Sequence, residues 1–155
     1  TVANDNDPTQ VVISGHRGAI ERAVAMVKDH GIKRGVLLPV SAPFHCPLMQ
    51  PAADAMAQAL AAATLSAPLL PVYANVLAAP IADGEEIKAR LVEQVTGRVR
   101  WRESVIWMKD QGVDEMVELG AGKVLSGLAR RIDKEISCDS VGTPEGIEAL
   151  IGKLK

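Results

Sequence analysis

Short β-prone runs alternate with segments of helical period along this chain, and most of the changes are marked by glycine or proline. Gln10–Ser14 reads as a strand ended by Gly15, after a turn cluster of Asn4, Asp5, Asn6, Asp7 and Pro8. From Arg17 to His30, Ile20, Ala23, Val24 and Val27 recur at helical spacing, and Gly31 stops the pattern. Lys33–Val40 reads as a strand, Pro51–Ala63 as a helix and Pro71–Val76 as a short buried strand. Helices are expected over Glu85–Val95 and Trp101–Gln111, then a strand over Glu115–Leu119 and a helix from about Lys123 to Ile132. A strand over Ile136–Val141 precedes a last helix with Thr143 as cap, Pro144 at its first position, and Ile147, Leu150, Ile151 and Leu154 turned inward. Such alternation predicts an α/β fold with largely parallel strand pairing.

One strand-to-helix connection carries an unusual set of side chains. Across Leu38–Met49, Pro43 and Pro47 fix φ at two points and hold their predecessors extended, so the turn between them is stiff. Phe44, His45 and Cys46 lie between those prolines, on the kind of scaffolded loop where catalytic and binding groups concentrate. A histidine in this setting is often a structural hydrogen bonder. As a base it would suit proton transfer, since an imidazole takes a proton near neutral pH and returns it later. Cys46 reads as a packing thiol rather than a nucleophile, because neighbours in extended backbone point to opposite faces. His45, Cys46, His16 and His30 have no recognisable zinc-ligand spacing, so no metal is expected.

Charge excludes several functions. A net charge of -2 with no basic, aromatic-laced cluster argues against nucleic-acid binding, which needs a basic surface to neutralise phosphates. No apolar run approaches the ~18 residues of a membrane span, and the N-terminus has no signal-peptide pattern, so a cytoplasmic location is expected. Cys46 and Cys138 stand outside any C-x-x-C spacing and read as free thiols in a reducing compartment, with one disulfide as the alternative. Gly120-Ala121-Gly122-Lys123 departs from a P-loop, which needs Ser or Thr after the lysine where Val124 stands; it reads as a tight turn.

The segment P-V-S-A-P-F-H-C-P-L-M, Pro39–Met49, resembles the active-site histidine segment of the malonyl-CoA:acyl carrier protein transacylases. Three further stretches are similar to that family in the same order: Ala3–Gln10 with Val11–Gly15, Leu91–Gln94 leading to Val99–Trp101, and Glu118–Leu125. The resemblance covers essentially the whole chain and the C-terminal half of the family. It implies part of an α/β-hydrolase-like large subdomain, residues 39–155, and the C-terminal part of a ferredoxin-like small subdomain, residues 1–38. It also implies malonyl transfer from coenzyme A to the phosphopantetheine thiol of acyl carrier protein, through a malonyl-serine ester, in fatty acid biosynthesis.

On that resemblance His45 is the acid and base, Phe44 lines the acyl pocket, Asn6 lies near the acyl site, and the backbone carbonyl of Gln94 orients the histidine. Arg98 stands where the family commonly has proline. Coenzyme A and phosphopantetheine are substrate carriers, and no separate cofactor is implied. The nucleophile is missing from this stretch: none of Ser14, Ser41, Ser66, Ser104, Ser126, Ser137 or Ser140 has a glycine two residues before it, as a G-x-S-x-G elbow requires. The expected partners are malonyl-CoA, acyl carrier protein and an N-terminal half of the same protein that carries the serine, without which the chain is expected to be inactive. The competing reading is a non-catalytic domain that docks a carrier protein or offers an interaction surface. A serine elbow upstream in the gene would discriminate the two.

Overall fold

In the computed structural model, which describes residues 1–154, the first strand runs through most of the expected turn cluster. β1 spans Val2–Asp7 and pairs with β2, Gln10–Ile13. Asn4 to Asp7 are therefore extended, and only Pro8 and Thr9 turn. The Asp7 carboxylate closes that turn by accepting from the Thr9 amide at 2.8 Å and its hydroxyl at 2.7 Å. An Asx-type turn needs one such side chain, which leaves the preceding polar residues free to pair. α1, Arg17–Met26, ends earlier than its periodicity suggests, and Gly31 takes the left-handed conformation (φ 72°) in the turns that follow.

The expected strand over Lys33–Val40 does not form. Pro39 has no amide to donate, and the Val40 amide is spent locally on the Leu38 carbonyl at 2.9 Å, so the run has β-propensity without a ladder. Val36, Leu37, Leu38 and Val40 all remain about half exposed or more. A 3-10 helix at Pro47–Met49 leads into α2, Gln50–Ala61, where Ala53 is the buried residue. β3, Val72–Ala74, turns back into β4, Ala79–Ile81, an antiparallel partner that no residue pattern announces. Ala78 adopts a left-handed conformation (φ 51°) in that turn. α3, Gly84–Thr96, starts from Asp83, whose carboxylate accepts from the Glu86 amide at 2.8 Å.

α4 spans Trp101–Asp110, β5 Glu115–Leu119, α5 Val124–Ile132, β6 Ser137–Val141 and α6 Pro144–Leu154. Thr143 caps α6 as expected, its hydroxyl accepting from the Gly146 amide at 3.2 Å. The apolar residues of α6 are not packed inward: Ile147, Ile151 and Leu154 are exposed and only Leu150 is half-buried. Among the described residues the architecture is mixed α/β with three two-stranded sheets, of which β5–β6 is parallel and β3–β4 antiparallel, so pairing is less parallel than alternation alone implies.

Two compact units divide these elements: residues 1–5 with 11–100, and residues 6–10 with 101 onward. The first unit has a small aliphatic core of Ala74, Ile81 and Ile87, with Leu65, Leu77 and Leu91 against it. In the second, Val105, Ala129, Ile136 and Cys138 form the core under Trp101, Met108, Met116 and Ile132. Both cysteines are free and buried. Among the described residues no helix is long and apolar enough to cross a membrane.

Candidate active site

His45 is held by its backbone before its side chain is considered. The residue sits at φ 56°, a left-handed conformation that a side chain with a Cβ adopts only at a cost of about 1–3 kcal/mol when the surroundings over-determine it. Two features do so here. Cys46, 1% exposed, returns to extended backbone and turns its thiol inward to donate to the Pro43 carbonyl at 3.0 Å. The Cys46 carbonyl then accepts from the Met49 amide at 3.0 Å and opens the 3-10 helix. The kink at His45 thereby separates two neighbours completely: the thiol goes into the core, and the imidazole projects toward the C-terminal end of α3.

There the ring meets two backbone carbonyls. Nδ1 of His45 lies 2.9 Å from the Gln94 oxygen, in the last turn of α3, and 3.1 Å from the Gly97 oxygen just beyond it. Carbonyls only accept, so Nδ1 carries the proton and Nε2 of the neutral ring is left with its lone pair. The last turn of any α-helix exposes unpaired carbonyls, and this site uses one of them to set a tautomer. The Gly97 amide itself caps α3 by donating to the Glu93 carbonyl at 2.9 Å.

Gly97 is at this position because nothing larger fits. A Cβ there would lie 2.8 Å from Cγ2 of Val76 and 2.9 Å from the Glu93 oxygen. The chain after Gly97 is pinned on one side by Val99, which donates to the Ala3 carbonyl at 2.8 Å and accepts from the Asp5 amide at 2.9 Å. On the other side Arg100 reaches the β3–β4 turn. Arg98 is exposed, and its turn is shaped by the glycine one residue earlier.

Of the other candidate residues, Phe44 is 48% exposed beside His45 in the same turn, an open aromatic face rather than a core side chain. Asn6 is half-buried in β1 and falls in the second compact unit. The structure thus brings together His45 and the Gln94 carbonyl, with Phe44 next in sequence. The Gly97 carbonyl is a partner that residue types do not reveal, since any residue offers a carbonyl; the only hint is a glycine right after a helical pattern.

In the second unit, Gly120-Ala121-Gly122-Lys123 leads into α5. The Glu118 carboxylate already occupies that helix start, accepting from the Leu125 amide (3.1 Å), the Ser126 amide (2.9 Å) and the Ser126 hydroxyl (2.8 Å). The Ser126 amide leads the contacts that hold Glu118 below the usual carboxylate range, against the upward push of burial. An acidic side chain at a helix N-terminus is favourable and leaves no place for a phosphate. Among the described residues no three His, Cys, Asp or Glu side chains gather as a metal site.

Comparison with known proteins gives a consistent result. No protein-family model matches the chain. It is 45% identical over 148 residues to the malonyl CoA-acyl carrier protein transacylase of Escherichia coli K12, covering 96% of this chain and 48% of that protein. With the Bacillus subtilis protein of the same name it shares 40% identity over 154 residues, 99% of this chain and 49% of that protein. The acyl-carrier-protein-S-malonyltransferase of Bartonella henselae superposes with a TM-score of 0.93 at 54% identity, over 99% of this chain and 49% of that one. A malonyl-transacylase solved in complex with its type II PKS acyl-carrier protein gives a TM-score of 0.90 at 41% identity, over 98% of this chain and 50% of that one. The chain spans about half the length of the curated relatives it matches.

Proposed function

We propose that this chain is the C-terminal half of a malonyl CoA-acyl carrier protein transacylase and supplies the base of its acyl transfer. The observation that carries this reading is the hydrogen bond from Nδ1 of His45 to the Gln94 carbonyl, which in the neutral ring leaves Nε2 with its lone pair. The nucleophile is a serine on the N-terminal half of the same protein. Nε2 takes the serine proton as Oγ attacks the malonyl thioester carbonyl; collapse of the tetrahedral intermediate expels the coenzyme A thiolate, which receives that proton. In the second half, the phosphopantetheine thiol of acyl carrier protein gives its proton to Nε2 and attacks the malonyl-serine ester. The serine alkoxide leaves and is reprotonated by His45.

The remaining assignments rest on the same resemblance. Phe44 lines the acyl pocket and narrows it, Asn6 binds near the acyl group, and coenzyme A and phosphopantetheine enter only as substrate carriers. Residues 1–38 belong to a ferredoxin-like subdomain and 39–155 to an α/β-hydrolase-like one. The exposed Val36, Leu37, Leu38 and Val40 are aliphatic surface for the N-terminal half to cover. The reaction serves fatty acid biosynthesis in the cytoplasm.

The test is steady-state malonyl transfer by the intact protein. His45→Ala should lower the rate at least about a hundredfold, the scale of lost general-base catalysis. An unchanged rate would remove His45 from the chemistry. A gene with no serine elbow upstream, and no transfer by the wild-type protein, would instead favour a carrier-docking module.

A further inference from the structure

The loop that offers the second carbonyl to His45 is tied to the β3–β4 turn through Arg100. Nη1 of Arg100 donates to the Leu77 carbonyl at 2.7 Å and lies 3.5 Å from the Val76 carbonyl, both in the β3–β4 turn. The Arg100 amide donates to the Asn75 carbonyl of the same turn at 3.3 Å. Val76 in turn lies against Gly97, close enough to exclude a Cβ there. Three residues after the carbonyl that meets His45, a guanidinium therefore ties the chain to the hairpin turn on which that carbonyl's own residue rests. One guanidinium nitrogen, Nη1, thus faces two neighbouring carbonyls of the turn, with the shorter bond to Leu77, and carries the positive charge that strengthens a hydrogen bond to a carbonyl.

We propose that Arg100 is a positioning residue for the base: it holds the Gly97 carbonyl on Nδ1 of His45 through the β3–β4 turn. The inference rests on His45 being the base, but its geometric content does not. With the guanidinium removed, the Arg100 amide still donates to Asn75 and Val99 still pairs with Ala3 and Asp5, but the side-chain hold on the Leu77 and Val76 carbonyls is gone, the Gly97 carbonyl drifts, and the ring turns about its bond to Gln94.

Arg100→Met in the intact protein preserves most of the apolar stem and removes the donors. Its kcat for malonyl transfer should fall about tenfold to a hundredfold with KM for malonyl-CoA little changed, the scale of a reacting group displaced by an ångström. In spectra of the 15N-histidine-labelled protein, the His45 Nδ1–H resonance, held by two acceptors in the wild type, should be lost to exchange. Arg100→Lys, which keeps a cationic donor on a long stem, should recover most of the kcat and the resonance. A folded Arg100→Met variant in which kcat and the resonance do not change together, or in which neither changes, overturns the proposal. If that variant does not fold, Arg100→Gln, with a shorter neutral donor, takes its place: a joint loss of kcat and resonance supports the proposal, and any other result overturns it. Failure of the enzyme reading is separate: His45→Ala would then leave transfer intact whatever the Arg100 variants show.

Discussion

Gly97→Ala places a methyl group where the structure has no room, and its effect follows from two short distances. The new Cβ would lie 2.8 Å from Cγ2 of Val76 and 2.9 Å from the Glu93 oxygen. Carbon atoms rest at about 3.5–4.0 Å, so the loop must give by close to an ångström. The Glu93 contact is backbone and cannot swing aside, and the Val76 methyl belongs to a short, β-branched side chain with little freedom to give. Gly97 has an extended backbone (φ -81°, ψ 153°), so the substitution is opposed by crowding and not by conformation. Overpacking of this kind costs about 1–3 kcal/mol, partly offset by about 0.4–1 kcal/mol from the stiffer unfolded chain. The net expectation is about 1–2 kcal/mol less stability in urea denaturation of the intact protein. Moving the loop also moves the carbonyl 3.1 Å from Nδ1 of His45, so kcat should fall about tenfold or more. A variant within about 0.5 kcal/mol of wild type, the usual range of neutral surface changes, and with full kcat would contradict this expectation. It would show that the Gly97 loop is not locked and that its carbonyl does not matter to the ring.

Three other perturbations test separate links. Phe44→Ser in the intact protein should raise methylmalonyl relative to malonyl transfer modestly, since about one methylene of pocket space is worth roughly 1–3 kcal/mol; equal kcat/KM ratios would remove Phe44 from specificity. Cys46→Ala should lose some stability by vacating a buried site, yet lower kcat far less than His45→Ala does; equally severe loss from both, with the fold intact, would point to a thiol mechanism. In the second unit, burial pushes the Asp7 carboxyl up, but hydrogen bonds from Arg131 at 2.7 Å and from Thr9 outweigh it and hold Asp7 below its ordinary value. A depressed carboxylate contributes stability above its unfolded value and loses it as pH falls through its folded one. Asp7→Asn should therefore be less stable than wild type at neutral pH, with the gap closing in acid; a gap constant with pH would contradict the assignment.

What could be read in the sequence divides along physical lines. Helices announce themselves through the period of Ile87, Leu91 and Val95 or through Thr143 and Pro144 at a start, because those signals are local. Strands depend on a partner, and Lys33–Val40 has the composition of one without the pairing, while Ala79–Ile81, with Pro80 at its centre, pairs despite its composition. The inward face expected for α6 failed for a similar reason: amphipathic spacing says which residues share a face, not what covers it. At the site, Phe44, His45 and Cys46 stand out by residue type and by the flanking prolines. The left-handed backbone at His45, the Gly97 carbonyl and the Arg100 tether are properties of three-dimensional position and leave almost no mark on residue type.

If His45 activates a serine for attack on the malonyl thioester, the acyl-enzyme that results can be trapped. The intact protein is mixed briefly with malonyl-CoA, quenched in acid, and its mass and modified peptide are read as a function of time. One malonyl group on a serine is expected in the wild type, with formation at least about a hundredfold slower in His45→Ala. Acylation of His45→Ala at the wild-type rate, or a malonyl group carried on Cys46, would contradict it.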